Sequence, residues 1–115
     1  PIKSYGKNKA DEAFLNRITE IIDAHITNVD FSVDDLAQEI AMSRSNLYRK
    51  LKGLSGLTPN DFIRMVRLKK AVKLMQDGET RINEICFMVG FNTSSYFAKC
   101  FKSQFGILPK DFVRK

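Results

Sequence analysis

The 115-residue sequence has few of the side chains from which catalytic and metal sites are built. It contains one histidine, His25, and two cysteines, Cys86 and Cys100, and no pair of these lies at the spacing of metal ligands. They cannot supply a nucleophile, a base and an orienting group, and no glycine-rich phosphate loop is present. We therefore expect no enzyme activity, no catalytic residue, no metal and no cofactor.

Long hydrophobic runs are also absent. No stretch approaches the roughly 18 apolar residues that span a bilayer, and the N-terminus lacks the pattern of a signal peptide. Both cysteines fall on the apolar faces of predicted helices, as small core residues do in a reducing compartment. The sequence predicts a cytoplasmic domain without membrane contact of its own. Because it starts with Pro1 and not with Met, we expect it to be part of a longer protein.

Negative charge is scarce in the middle of the chain. The whole sequence has 19 Lys and Arg against 13 Asp and Glu, for a net charge of +6. Residues 1–43 carry four basic and eight acidic side chains, whereas residues 44–76 carry nine basic ones and Asp61 as the single acid. Such a segment favours a polyanionic partner such as DNA, although a solvated helix face produces the same pattern.

One pattern occurs twice, in residues 33–64 and again in residues 82–114. Each copy predicts a helix-turn-helix, and the second turn is one residue longer. Two such units can place two helices in neighbouring grooves of one duplex. The aligned pairs are Val33 with Ile82, Leu36 with Ile85, Ala37 with Cys86, Ile40 with Val89, Ala41 with Gly90, Met42 with Phe91, Leu47 with Phe97, Leu51 with Phe101, Gly56 with Gly106, Pro59 with Pro109, Asp61 with Asp111, Phe62 with Phe112 and Arg64 with Arg114.

Apolar periodicity and capping signals together predict an all-α fold of seven helices and no strands. Two helix-turn-helix subdomains are joined by a long connector helix. We expect a linker from an upstream domain at residues 1–10, and a DNA-binding domain at residues 11–115. Within it lie the first lobe (11–58), the connector (59–77) and the second lobe (78–115). The connector is predicted to expose its basic side chains, which are Arg64, Arg67, Lys69, Lys70 and Lys73.

The helix after Ser43 presents Ser45, Tyr48, Arg49 and Lys52 on the face opposite its apolar stripe. An arginine there can donate two hydrogen bonds to guanine O6 and N7 in a major groove. The corresponding face of the second copy is poorer in hydrogen-bonding groups. The expected base-reading residues are Ser45, Tyr48, Arg49, Ser94, Ser95, Ala98 and Lys99, and the expected phosphate contacts are Ser43, Arg44, Asn46, Lys50, Lys52, Thr93 and Lys102.

Other interpretations of the same pattern exist. Ser94 and Ser95 are also typical of an ordinary first helical turn. A repeat of amphipathic helices could serve as a protein-interaction module, which would depend little on Arg49. RNA fits less well, because the deep groove of an A-form duplex admits no helix and no aromatic stacking platform is evident.

The second copy resembles the signature of AraC/XylS-type DNA-binding domains, and the resemblance covers residues 13–115. It rests on Ile85, Val89-Gly90-Phe91, Ser95-Tyr96-Phe97, Phe101-Lys102, Phe105-Gly106 and Pro109. The first copy, through Asp30-Phe31-Ser32-Val33 and residues 43–51, is similar to the output domain of hybrid two-component regulators from Bacteroides-type gut bacteria. Ala41 stands where the family often has Gly, and Cys86 where it usually has Ala.

The resemblance implies a bacterial transcription factor, usually an activator. Such a factor binds tandem sites on double-stranded DNA and contacts RNA polymerase. It also implies receiver and sensor domains upstream, through which the full-length protein could be anchored in a membrane. By family position, the base-reading roles fall on the residues given above.

Overall fold

The computed structural model describes residues 8–114, and the fold of these residues is all-α. The predicted linker therefore lies mostly outside the described residues. Seven helices and no strands are found in this range, which confirms the predicted fold class. The helices are α1 (Lys9–Ala24), α2 (Val33–Glu39), α3 (Arg44–Ser55), α4 (Pro59–Gln76), α5 (Ile82–Met88), α6 (Ser94–Phe105) and α7 (Pro109–Arg114).

The helix starts follow local capping chemistry. Helix α1 includes Lys9 and Ala10, which were expected in the linker, because the Asn8 side chain accepts the backbone N–H of Asp11 at 2.9 Å. The predicted capping box at α2 is present. The backbone N–H of Ser32 donates to Asp35 at 3.0 Å, and the backbone N–H of Asp35 donates to the Ser32 hydroxyl at 3.2 Å.

The chain divides into two compact units, and the boundary falls inside α4. Among the described residues, the first unit comprises residues 8–25 together with Phe31–Val66, and the second comprises Ile26–Asp30 together with residues 67–114. Each unit holds one helix-turn-helix, α2–α3 in the first and α5–α6 in the second. The connector predicted at residues 59–77 corresponds to α4, which at about 1.5 Å per residue is roughly 27 Å long.

Each unit has its own apolar interior. In the first unit α1 packs against α2 and α2 against α3, with Leu36, Leu47 and Leu51 fully buried. In the second unit the phenyl rings of Phe97 and Phe101 meet edge to face at 5.8 Å between centroids. Burial of one such side chain contributes about 1.5–3 kcal/mol. The core cluster of the second unit is Leu68, Ala71, Met75, Ile85, Cys86, Val89, Phe91, Phe97 and Phe101.

The two helix-turn-helix copies match element by element. Helices α2 and α5 each have 7 residues, and α3 and α6 each have 12. Both turns contain a residue in the left-handed region, Ala41 at φ 59° and Gly90 at φ 88°. The internal repeat read from the sequence is therefore a repeat of backbone conformation. At this position the first copy places a residue with a Cβ where the second has none.

The prediction that Arg67 is an exposed connector charge was wrong. Its exposed fraction is 6%, and it is the one charged side chain buried among residues 8–114. Its guanidinium donates to the carbonyl oxygens of Ile26, Val89 and Asn28 at 2.6, 2.7 and 2.9 Å. Burial lowers the pKa of Arg67. These carbonyl partners, which the sequence did not reveal, offset the cost of taking the charge out of water.

Candidate nucleic-acid interface

Helix α3 is fixed at both ends and along its inner face. The Ser43 hydroxyl accepts the backbone N–H of Asn46 at 3.1 Å, as predicted for the cap. At the other end Gly56 adopts φ 78°, and its N–H donates to the carbonyl of Lys52. Leu47 and Leu51 are fully buried, so their positions set which residues face outward.

The predicted outward face of α3 is present and continuous. Ser45, Tyr48, Arg49 and Lys52 are exposed, and Tyr48 keeps 50% of its surface accessible. Together with Arg44 and Gly53 they line one open depression. Arg49 also lines a second, smaller depression beside Met42, Asn46 and Lys50. The structure therefore brings together the sequence-predicted residues of the first copy, with Arg49 between the two depressions.

Three cations on or beside this face have partners within the first unit. Arg44 Nη1 lies 3.3 Å from Asp34 Oδ1, and both side chains are exposed. Lys50 Nζ lies 4.4 Å from the centroid of the Phe14 ring, within cation–π range. Lys52 Nζ donates to the carbonyl oxygen of Gly56 at 3.1 Å, at the end of the helix. These contacts hold the long side chains in place beside the exposed face.

Arg49 differs from these neighbours. Within residues 8–114 its guanidinium makes no hydrogen bond or ion pair. An arginine guanidinium carries five N–H donors in a planar, fork-like arrangement, and Arg49 is exposed. The residue that sequence reasoning favoured for base contact is therefore free to donate.

Helix α6 repeats the architecture of α3 in the second unit. The Thr93 hydroxyl accepts the backbone N–H of Tyr96 at 3.2 Å and lies 3.4 Å from the hydroxyl of Ser95. The helix ends at Gly106, at φ 83°, and buries Phe97 and Phe101. Its outward side is less polar than that of α3, as the sequence indicated. Ser94, Ser95, Lys99 and Lys102 are exposed, and Ala98 is half-buried.

Tyr96 is exposed on α6 and was not among the predicted site residues. It keeps 49% of its surface accessible, while its ring lies 5.9 Å from that of Phe91. The alignment of the two copies places Tyr96 opposite Asn46, for which a phosphate contact was expected. That correspondence was the signal available in the sequence.

The described residues offer few other candidate sites. Residues 8–114 contain no group of three or more His, Cys, Asp or Glu side chains placed to hold a metal ion. Cys86 is buried and Cys100 half-buried, and both are free thiols. None of the helices in this range is long and apolar enough to cross a membrane.

Known proteins are similar to this chain in sequence. A family model described as a helix-turn-helix domain matches residues 36–115. The chain is 35% identical over 105 residues to a protein of Formosa agariphila named Histidine kinase P4, covering 91% of this chain and 8% of that protein. It is 30% identical over 101 residues to the HTH-type transcriptional activator RhaS of Klebsiella pneumoniae, covering 88% of this chain and 36% of that protein. The chain thus spans a minor part of either relative.

A crystal structure shows the same fold. The protein is a transcriptional regulator of Chromobacterium violaceum, described as an AraC-type DNA-binding domain-containing protein. Its TM-score is 0.83 at 26% identity, covering 93% of this chain and 95% of that chain. The matched family model, the paired helix-turn-helix units and this likeness agree with the resemblance read from the sequence. The chain belongs to the AraC-type helix-turn-helix family of DNA-binding domains.

Proposed function

We propose that α3 and α6 enter neighbouring major grooves of one DNA duplex and read two short sequence elements. The observation that carries this proposal is Arg49, an exposed residue that lines both depressions on the outward face of α3 and has no hydrogen-bond or ion-pair partner among residues 8–114. A bidentate contact from arginine to guanine is worth about 1–3 kcal/mol of discrimination against the wrong base. The matching lengths and caps of α3 and α6 support a second reading helix of the same kind.

In the first unit, Arg49 reads a guanine while Tyr48 and Ser45 contact neighbouring base edges. The flanking cations, held by Asp34, Phe14 and Gly56, neutralise phosphates and carry no sequence information. The proposed phosphate contacts of this unit are Ser43, Arg44, Asn46, Lys50 and Lys52.

In the second unit, Ser94, Ser95 and Lys99 donate to bases, and Ala98 makes an apolar contact. Thr93 and Lys102 bind phosphate, and the exposed hydroxyl of Tyr96 joins them at the position that Asn46 holds in the first copy. Because this face has fewer charged donors than that of α3, it contributes less base discrimination and more positioning.

For the full-length protein we propose a bacterial regulator of the two-component type. The relative named as a histidine kinase supports upstream sensor and receiver domains, with this domain as the output. The relative named as a transcriptional activator supports activation, in which RNA polymerase is contacted at the promoter. The domain acts in the cytoplasm, where its DNA lies, and paired sites raise the affinity of a dimeric full-length protein.

A selection from randomised duplex DNA at moderate salt tests this function. The expected result is enrichment of two short elements spaced by about one helical turn, 10–10.5 base pairs. One enriched element alone would refute the proposal that both helices read DNA sequence. Salt-sensitive binding without enrichment would refute sequence-specific reading altogether and favour a protein-interaction module.

A further inference from the structure

The second unit contains a buried charge that the proposed function does not use. Arg67 lies on α4, and its guanidinium spans three carbonyl oxygens. Nη1 donates to those of Ile26 and Val89, and Nη2 donates to that of Asn28. Val89 is the C-cap of α5, where the turn toward α6 begins. Ile26 and Asn28 lie in the segment Ile26–Asp30 of the same unit.

The turn leaves room for this guanidinium because residue 90 is glycine. A Cβ at this position would lie 1.5 Å from Arg67 Nη1 and 2.4 Å from the carbonyl oxygen of Ile26. Arg67 and the turn backbone therefore fit together without space for a side chain between them. This close fit leaves the turn less freedom to move than an ordinary solvent-exposed loop has.

The constraint continues from the turn into α6. The N–H of Phe91 donates to the carbonyl of Cys86 at 3.0 Å, and the Phe91 ring packs edge-on against that of Phe97 at 5.1 Å. Phe97 is fully buried on the inner face of α6. A displacement of the Val89 carbonyl would move Gly90 and Phe91, and through Phe97 it would rotate the outward residues of α6.

We propose that Arg67 is a positioning residue for DNA reading by the second unit: it holds the α5–α6 turn so that Ser95 and Lys99 face the bases. It touches no DNA itself, since its side chain is buried. This inference rests on the proposed two-element reading. Lysine cannot replace Arg67 in this role, because a single ammonium group lacks the planar, forked guanidinium that spans the three carbonyl oxygens.

The test repeats the selection with Arg67→Lys, Arg67→Met and, as a matched control, Lys69→Met, which removes an exposed charge from the same helix. Arg49→Ala identifies the element that α3 reads. We expect folded Arg67→Lys to keep preference for that element and to lose at least about tenfold preference for the other, the scale of one good base contact. The Lys69→Met control should keep both preferences.

A second measurement uses DNA-free protein. It separates failure of the proposed anchoring by Arg67 from failure of the proposed DNA-reading function. Amide hydrogen exchange at Phe91 and Tyr96 should be at least about tenfold faster in Arg67→Lys than in Lys69→Met. If Arg67→Met does not fold, the results for Arg67→Lys alone test the proposal. Unchanged preferences in the folded variants, or an equal loss at both elements, would overturn the proposal. If the unsubstituted protein enriches one element only, the two-element function fails, and unchanged exchange would then reject anchoring of the turn as well.

Discussion

The guanidinium of Arg67 occupies the space that a side chain on residue 90 would need. Nη1 of Arg67 lies 1.5 Å from the position of a Cβ built on Gly90, whose φ of 88° already favours glycine. In the first copy the equivalent residue is Ala41, which is exposed and adopts φ 59°. The same turn is therefore built once around a buried arginine and once without that constraint.

Gly90→Ala should destabilise the second unit strongly. The substitution adds left-handed strain of about 1–2 kcal/mol and displaces Arg67 from partly buried carbonyls, at a further cost of about 1–3 kcal/mol. We expect the free energy of unfolding to fall by roughly 2–5 kcal/mol in chemical denaturation. A loss below about 1 kcal/mol would show that the turn can move away from Arg67 at little cost.

Ala41→Gly should stabilise the first unit, in contrast to the effect of Gly90→Ala on the second. It relieves left-handed strain of about 1–2 kcal/mol, part of which is offset by the greater freedom of glycine in the unfolded chain. Because Ala41 is exposed, little packing is lost. We expect the free energy of unfolding to rise by roughly 0.5–1 kcal/mol in the same denaturation experiment. A decrease would mean that the Ala41 methyl group contributes more than its conformation costs.

The helices could be predicted because their caps depend on neighbouring residues. The long-range contacts could not be predicted from the sequence. The caps at Ser43 and Thr93 use partners three residues away, so sequence spacing identified them. Arg67 bonds to carbonyls 22, 39 and 41 residues away, and no periodicity distinguishes such an arginine from a solvated one. Arg49 was placed correctly on an exposed face because buried leucines determine the orientation of α3.

The stabilisation from the ion pair between Glu79 and Arg81 should be lost in acid. A side-chain hydrogen bond from Arg81 lowers the pKa of Glu79 from 4.5 to about 2. The folded-state pKa lies below the unfolded one, so the stabilisation is present above about pH 4.5 and is lost as pH falls toward 2.

An NMR titration of the Glu79 carboxyl carbon measures this pKa directly. In the Arg81→Met variant the pKa should return toward 4.5, and the loss of stability between pH 4.5 and 2 should become shallower. A titration midpoint near 4.5 in the unsubstituted protein would show that the pair does not hold in solution.

Base reading by Arg49 is the central claim, and guanine methylation interference on a selected duplex tests it most directly. Methylation of N7 blocks a major-groove acceptor that arginine uses. We predict that methylation of one guanine prevents binding of the unsubstituted domain. Arg49→Ala should bind more weakly and no longer distinguish the methylated duplex from the unmethylated one. The matched control Lys102→Ala should bind all duplexes more weakly and keep the interference. If no guanine interferes, or if Arg49→Ala retains the full interference pattern, Arg49 does not read the DNA.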